Sequence, residues 1–293
     1  MNMNRKTKKI IIASIFVALL VLTGCVNVPT DPVTNEPIYI TLETTFEDMA
    51  NLKSGIFDIA LTYPLAQAIN FLSSKFGVFG GVTLVTLILN LVLLIFTFKS
   101  TESMQKMQMI QPELDRIQKK YEGQDSQAAK MQMSQEMQRL FEKNNVNPLA
   151  GFASILQLPI LLCMYGAIRR SYYVAHGTFL GASLATKPIE AFANKDIVII
   201  VIYICMVVFQ LLSAVCPQLI ATIKRKRLAK IQHKPYVKAN NSNMFMMYAM
   251  IILIAYVMLQ WQAALSLYYA IVSIINILKT LAVEIIMQRK GTE

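Results

Sequence analysis

Five apolar runs constrain this sequence more than any other feature, because each is long enough for a helix to cross a lipid bilayer. They cover residues 77–98, 149–168, 197–217, 243–260 and 263–287. A segment that crosses lipid must satisfy its own backbone hydrogen bonds, which favours helix for every run. Charged residues make up only 15% of the chain, whereas soluble proteins average about one quarter. The sequence therefore predicts an all-α polytopic membrane protein with five transmembrane helices.

Lys and Arg are distributed unevenly between the segments that join these runs. One set holds 17 of them, and the alternating set holds six. The richer set is 99–147, 218–242 and 288–293, and the poorer set is 26–76, 169–196 and 261–262. Positive charge prefers the cytoplasmic side, so we expect the richer set and the C-terminus to be cytoplasmic and the poorer set extracellular. The joining segments reach only about fifty residues, which excludes a separate soluble enzyme domain.

The N-terminus has the pattern of an exported lipoprotein. Basic residues precede an apolar run from Ile10 to Leu22, as in a secretory signal. The run ends in Leu22-Thr23-Gly24-Cys25, which resembles the cleavage box in which a bacterial lipoprotein cysteine receives a diacylglyceryl group. The alternative is an uncleaved membrane helix, but about thirteen apolar residues fall short of the roughly twenty needed to span. We expect residues 1–24 to be a signal peptide and Cys25 to be the site of lipid attachment.

The segment that follows, residues 25–76, is expected to lie outside the membrane core. Three prolines between residues 26 and 54 favour an extended tether. Residues 56–76 alternate apolar and polar clusters and contain Pro64, which is typical of a broken amphipathic helix lying on the membrane surface.

Residues 99–147 are patterned as a cytoplasmic helical hairpin that turns at Gly123. Apolar residues recur at helical spacing on both sides, namely Met104, Met107, Leu114, Ile117 and Tyr121 before the turn, and Met133, Met137, Leu140 and Phe141 after it. Pro112 is suited to the first turn of a helix. The methionines favour either transient contact with nascent apolar segments or a targeting factor, or simple packing between the two helices.

The second cytoplasmic segment, 218–242, contains seven Lys or Arg and no acid. Such a run attracts anionic lipid headgroups at about 1 kcal/mol per charge and is also suited to ribosomal RNA. The alternative is a plain topology signal.

The remaining cysteines and the two histidines predict no catalytic or metal site. Cys163, Cys205 and Cys216 lie in apolar runs without ligand spacing, so we expect them to be small buried apolar residues. His176 and His233 lie on opposite predicted sides of the membrane and cannot share one site. The chain is therefore not expected to be an enzyme.

Polar residues inside the predicted spans are the best guide to activity, because they are costly in lipid. Asn90, Gln157, Gln210 and Lys279 each lie seven or eight residues from the inner end of a span. At 1.5 Å of rise per residue, this places all of them about 10 to 12 Å inside the cytoplasmic boundary. They favour a water-filled groove open to the cytoplasm, with interhelical hydrogen bonding as the alternative. Lys279 could instead reach toward the headgroups or pair near Glu284.

Several motifs resemble the YidC/Oxa/Alb membrane insertase family, across most of the chain. The most specific is Asn147-Pro148-Leu149-Ala150-Gly151, followed by Gln157-Leu158-Pro159-Ile160 and Tyr165. Gln111-Pro112-Glu113 with Tyr121, and Leu267-Tyr268-Tyr269 with Ser273, are similar to the family's hairpin and last span. The lipoprotein start with five spans resembles the Gram-positive branch.

This resemblance implies an insertase and membrane chaperone that uses no nucleotide, metal or small-molecule substrate. Its implied partners are nascent membrane proteins and the Sec translocon. The ribosome, the signal recognition pathway and anionic lipids are the further partners that the basic segment and the hairpin predict. The candidate groove residues are the four at one depth, Asn90, Gln157, Gln210 and Lys279, with Ser273 secondary.

Three departures from the family pattern concern the groove and its neighbours. Asn90 stands where the family usually has a groove arginine, which suggests that Lys279 on the fifth span now supplies the positive charge. Phe152-Ala153-Ser154 and Gln262-Ala263-Ala264 replace two expected prolines. The alternative function is an assembly or scaffold factor with reduced insertase activity. A transporter is disfavoured, because the spans show no internal repeats.

Overall fold

The computed structural model describes residues 29–32, 36–52, 55, 58–124, 126–148, 157–231, 233 and 241–289. The expected signal peptide and Cys25 lie outside these residues. The same is true of the sequence from 149 to 156, which contains Leu149, Ala150 and Gly151 of the most specific motif.

Helices dominate the described residues. In chain order they are α1 (Phe46–Asn51), a π-helix (Asp58–Thr62), α2 (Tyr63–Lys120), α3 (Gln127–Lys143), α4 (Gln157–Arg170), α5 (Tyr172–His176), α6 (Pro188–Asn194), α7 (Ile197–Ile231), α8 (Asn241–Leu259) and α9 (Ala263–Arg289). A two-stranded antiparallel hairpin, β1 (Thr178–Phe179) and β2 (Ala182–Ser183), lies between α5 and α6.

The prediction of an all-α polytopic membrane protein is confirmed. Three helical stretches of the described residues are long and apolar enough to cross a membrane: Asp58–Ile95, Ile197–Ile231 and Ala263–Arg289. A shorter apolar helix, Met247–Leu259, lies within the fourth predicted span. The described part of the second predicted span is the fourteen-residue α4. The count of five spans therefore stays a prediction.

A sharp bend at Gly77 divides α2 into an outer arm, residues 63–76, and a long arm, residues 78–120. Gly77 has φ of 74° and ψ of 166°, a conformation that L residues rarely adopt. Beyond the bend, a Cβ on Gly81 would lie 2.0 Å from the Ser73 hydroxyl oxygen. In a straight helix, residues eight apart are about 12 Å apart along the axis. The outer arm is thus folded back against the long arm, near the expected boundary at residue 76.

The long arm continues without interruption from the first predicted span into the first helix of the hairpin. Pro112 lies in the interior of α2, so the expectation that it begins a helix is wrong. The helix tolerates it at the loss of one backbone hydrogen bond. The hairpin turns near Gly123, which has φ of 80°. It has a small apolar core of its own, formed by Ile110, Leu114, Leu140 and Val146.

The main core lies where α2, α4, α7 and α9 meet, and it includes Val82, Met164, Met206 and Tyr268. Outside this core, long apolar side chains are exposed along the predicted spans. On α7 they recur at helical spacing as Ile197, Val201, Ile204, Val208 and Leu211. An exposed apolar stripe on a helix of spanning length is the expected surface for lipid.

The same lipid-facing surface corrects one expectation about the cysteines. Cys163 is buried and Cys216 is half-buried, but Cys205 is exposed. An apolar position in a spanning helix need not face the protein core, because lipid is as apolar as the core itself.

Candidate functional site

Asn90 is buried on the long arm of α2, with 8% of its surface exposed. Its side-chain amide donates a hydrogen bond to the carbonyl of Thr86 at 2.8 Å. Thr86 in turn donates to the carbonyl of Val82 at 2.7 Å. These bonds are internal to one helix, so they do not join Asn90 to another span. They leave the second amide proton of Asn90 without a protein acceptor among the described residues.

Gln210 is half-buried on α7, and its side-chain oxygen is buried without a hydrogen-bond partner among the described residues. The hydroxyl oxygen of Thr83, two turns from Asn90 on α2, is also buried without a hydrogen-bond partner among the described residues. A buried polar atom without a partner costs about 1–3 kcal/mol. Such atoms are therefore expected to contact water or a bound chain.

Ser273 and Lys279 lie on α9. Ser273 is buried, and Lys279 is half-buried. Within the described residues Lys279 has no ion-pair partner, and Glu284 pairs instead with Lys224. The alternative in which Lys279 pairs near Glu284 is therefore not observed, because Lys224 takes that partner.

The structure brings together the helices that carry these residues, but not the side chains by direct bonds. α9 packs against both α7 and α2, and α2 packs against α7. No hydrogen bond joins Asn90, Gln210, Ser273 and Lys279 within the described residues. Gln157 is the first residue of α4, and its side chain is not among those that the structure describes. The groove stays a prediction that these packed helices support.

One face of α9 carries a polar stripe that sequence reasoning missed. Ser266, Ser273 and Thr280 recur every seven residues, Glu284 follows one turn later, and all four are buried. Seven residues are close to two helical turns, so the stripe faces one direction along most of the helix. The spacing is visible in the sequence and could have revealed the stripe.

The inner end of this stripe joins three helices. Lys224 of α7 and Glu284 of α9 form an ion pair at 2.9 Å, with side chains only 15% and 10% exposed. Gln288 donates to the same oxygen of Glu284 at 2.8 Å. Gln105 of α2, itself buried, donates to the carbonyl of Thr280 at 2.9 Å. The basic segment after residue 218 contains no acid of its own, but its Lys224 has an acidic partner, Glu284, on another helix.

A second buried ion pair lies at the opposite end of the molecule. Arg170 and Asp58 are joined at 2.6 Å between Nη1 and Oδ2, and Arg170 is 1% exposed. Arg170 also donates to the carbonyl of Ile38 at 3.0 Å. Nearby, Asn70 donates to the carbonyl of Ile40 and accepts from the Ser171 hydroxyl. These contacts hold the outer segment against the end of α4, across separations that no local pattern reveals.

Comparison with known proteins identifies the family. The model of the family described as 60Kd inner membrane protein matches residues 70–290, which is most of the chain. The chain belongs to this family. The match spans α2 to α9 and therefore includes the buried polar residues of all three packed helices.

Three relatives of this chain are named membrane protein insertases. A protein of Oceanobacillus iheyensis named membrane protein insertase YidC is 30% identical over 98% of this chain and 99% of its own length. Membrane protein insertase YidC 1 of Listeria monocytogenes is 28% identical over 95% of this chain and 84% of its own length. Membrane protein insertase YidC 2 of Bacillus anthracis is 33% identical over 59% of this chain and 62% of its own length.

Proposed function

We propose that this protein is a membrane protein insertase and chaperone, working alone or beside the Sec translocon. The observation that carries the proposal is the set of buried polar side chains on the packed helices α2, α7 and α9 of a chain that belongs to this family. Relatives that match nearly the whole chain bear the name insertase, which supports the same function.

The proposed mechanism is a reduction in desolvation cost. A polar peptide segment loses its hydrogen bonds to water when it enters lipid, and each unsatisfied group costs several kcal/mol. A groove lined by Asn90, Gln157, Gln210, Ser273 and Lys279 would offer replacement partners and retain water at that depth. The apolar part of the client then moves sideways into lipid beside the spans. No covalent chemistry is required.

Lys279 supplies the positive charge of the proposed groove. It is half-buried and has no ion-pair partner among the described residues, which supports this role. An unpaired cation in a spanning helix is costly and is therefore a functional candidate by default. Its charge would attract acidic residues in the exported tail of a client.

The proposal extends to the placement of the chain. Residues 25–76 and 169–196 are outside the cell membrane, Cys25 carries the lipid anchor, and the hairpin and the C-terminus are cytoplasmic. The hairpin captures nascent membrane proteins from the ribosome or the signal recognition pathway. The exposed Lys226 and Arg227 contact anionic lipids or the ribosome, which their position on the inner end of α7 supports.

Depletion of the protein tests the function. Cells from which it is removed should fail to insert a set of simple membrane proteins, and the unmodified chain should restore them. Failure of only one membrane complex, with simple clients unaffected, would favour the assembly or scaffold factor instead.

A further inference from the structure

The hairpin is a self-contained unit, so something outside it must set its orientation. All members of its apolar core lie between Met107 and Val146. It joins the spans through the long arm of α2 on one side and the segment after Val146 on the other. Pro112 interrupts the hydrogen bonds of that arm and makes it easier to bend.

About two helical turns before this proline, the long arm of α2 is bonded to the inner end of α9, which is bonded in turn to α7. We name Gln105, Lys224, Thr280, Glu284 and Gln288 the cytoplasmic clasp. The ion pair from Lys224 to Glu284 joins α7 to α9, and the bond from Gln105 to Thr280 joins α2 to α9. The clasp therefore lies between the predicted groove and the hairpin.

The ion pair in the clasp is nearly buried, and burial determines how much such a pair affects stability. Exposed pairs contribute little, because water screens them. When one partner of a nearly buried pair is removed, the other charge is left uncompensated, which is strongly unfavourable. In addition, the second oxygen of Glu284, the oxygen of Gln105 and one terminal nitrogen of Arg225 are buried without partners among the described residues. The clasp is thus well connected but not fully satisfied, as expected of a contact that can open.

We propose that the cytoplasmic clasp positions the hairpin beneath the groove, and that Gln105, Lys224 and Glu284 are positioning residues for insertion. The proposal rests on the proposed insertase function. While the clasp is closed, the long arm is fixed up to Gln105 and the hairpin moves only about the region of Pro112. When the clasp is open, the whole arm is released from α9 and the hairpin loses its fixed place under the helices.

The test compares four variants of the full chain in membranes. They are Glu284→Gln, Gln105→Leu, the charge exchange Lys224→Glu with Glu284→Lys, and the control Glu102→Gln. Glu102 pairs with Lys106 at 2.9 Å within α2, with side chains 24% and 21% exposed. The control therefore removes an acid close to the clasp without breaking a contact between helices.

Two measurements are made on each variant. Spin labels are attached through azide-bearing residues introduced at Gln124, in the hairpin turn, and at Lys187, on the outer side, and the distribution of their separation is recorded. Insertion of a client is measured in cells depleted of the natural protein. Glu284→Gln and Gln105→Leu should broaden the distance distribution and reduce insertion at least threefold. The charge exchange should restore both, because the amide of Gln288 can turn over to accept from the new lysine.

The outcomes separate the clasp from the proposed function. An unchanged distance distribution in Glu284→Gln and Gln105→Leu overturns the clasp, whatever insertion does. A broadened distribution with normal insertion overturns the claim that hairpin placement matters for insertion. The same broadening in Glu102→Gln shows a general effect of charge and also overturns the proposal. The insertase function itself fails only if the unmodified chain does not restore insertion.

Discussion

Lys279 is the one charged residue among the predicted groove residues. Single substitutions at this position therefore separate the effect of its charge from the effect of its packing. In Lys279→Gln the charge is lost while the length of the side chain is nearly kept. Insertion of a client with an acidic exported tail should fall about tenfold, which corresponds to about 1.4 kcal/mol. Measurement of that client's export in depleted cells gives the result.

Two comparisons make the Lys279 result specific. Lys279→Arg keeps the charge and should retain most of the activity, and a client with a neutral tail should be affected little by either change. Equal insertion by Lys279→Gln and the natural chain would show that the groove charge has not moved to α9.

The sequence predicted individual residues with uneven success, for a physical reason. Asn90 and Ser273 are buried, and their place in a groove stays a prediction. The partners of Glu284 and Arg170 were not predicted, because each lies on another helix far along the chain. Cys205 was assigned to the wrong environment, since hydropathy does not distinguish a core-facing position from a lipid-facing one.

At the scale of elements, the close approach of the outer arm to the long arm of α2 is a sensitive feature. A Cβ on Gly81 would lie 2.7 Å from the backbone nitrogen of Ser73, so Gly81→Ala must push the arms apart. We expect a loss of about 1–3 kcal/mol, the usual range for overpacking. Thermal unfolding in detergent measures it.

A second substitution shows which atoms cause the clash. Ser73→Ala removes the hydroxyl that Gly81→Ala would meet, but the Ser73 backbone nitrogen and Cα, at 2.7 and 2.9 Å, remain. The double variant should therefore be no more stable than Gly81→Ala alone. Full recovery in the double variant would mean that the arms are not held backbone to backbone.

The hairpin turn is held by a contact that depends on pH. Glu136 accepts hydrogen bonds from Lys120 at 2.6 Å and from the Tyr121 hydroxyl at 2.9 Å. The bond from Lys120, followed by that from Tyr121, lowers the pKa of Glu136 below its usual 4.5. The bond to Glu136 also raises the pKa of Lys120 above its usual 10.5.

The direction of both shifts defines the pH window of this contact. The contribution of Glu136 is fully present above pH 4.5 and is lost as the pH falls through its lowered pKa. The contribution of Lys120 is fully present below pH 10.5 and is lost as the pH rises through its raised pKa. A spin label at Gln124 should therefore become more mobile only outside this window. In Glu136→Gln the acid-side change should disappear, and its persistence would exclude this carboxylate as the cause.

Periodicity predicted the elements well where one face of a helix differs from the other. It predicted two helices on either side of Gly123, where glycine interrupts the pattern. The bend at Gly77 was not predicted, although that residue begins the first predicted span. Periodicity did not predict that the first span and the first hairpin helix are one continuous α2, since a change from apolar to polar residues does not end a helix. The placement of Pro112 was wrong for the same reason.

At the scale of the whole molecule, topology is the main untested expectation. His176 and His233 are both exposed and are predicted to lie on opposite sides of the membrane. Replaced singly by cysteine, residue 176 should react with a membrane-impermeant thiol reagent in intact cells. Residue 233 should react only after the membrane is opened. The parent for both has Cys205 changed to alanine, because that thiol is exposed. Reaction of both positions in intact cells would contradict the orientation derived from the Lys and Arg distribution.

The buried pair of Arg170 and Asp58 has a consequence for how the protein is made. The two residues are 112 positions apart, so during synthesis Asp58 is available long before Arg170 has left the ribosome. Until then the carboxylate must stay hydrated, because burial without its partner is strongly unfavourable. The outer segment can therefore pack against the end of α4 only late, when that end has been translocated. Biogenesis of this protein should thus pass through an intermediate in which residues 25–76 are exported but still open to protease.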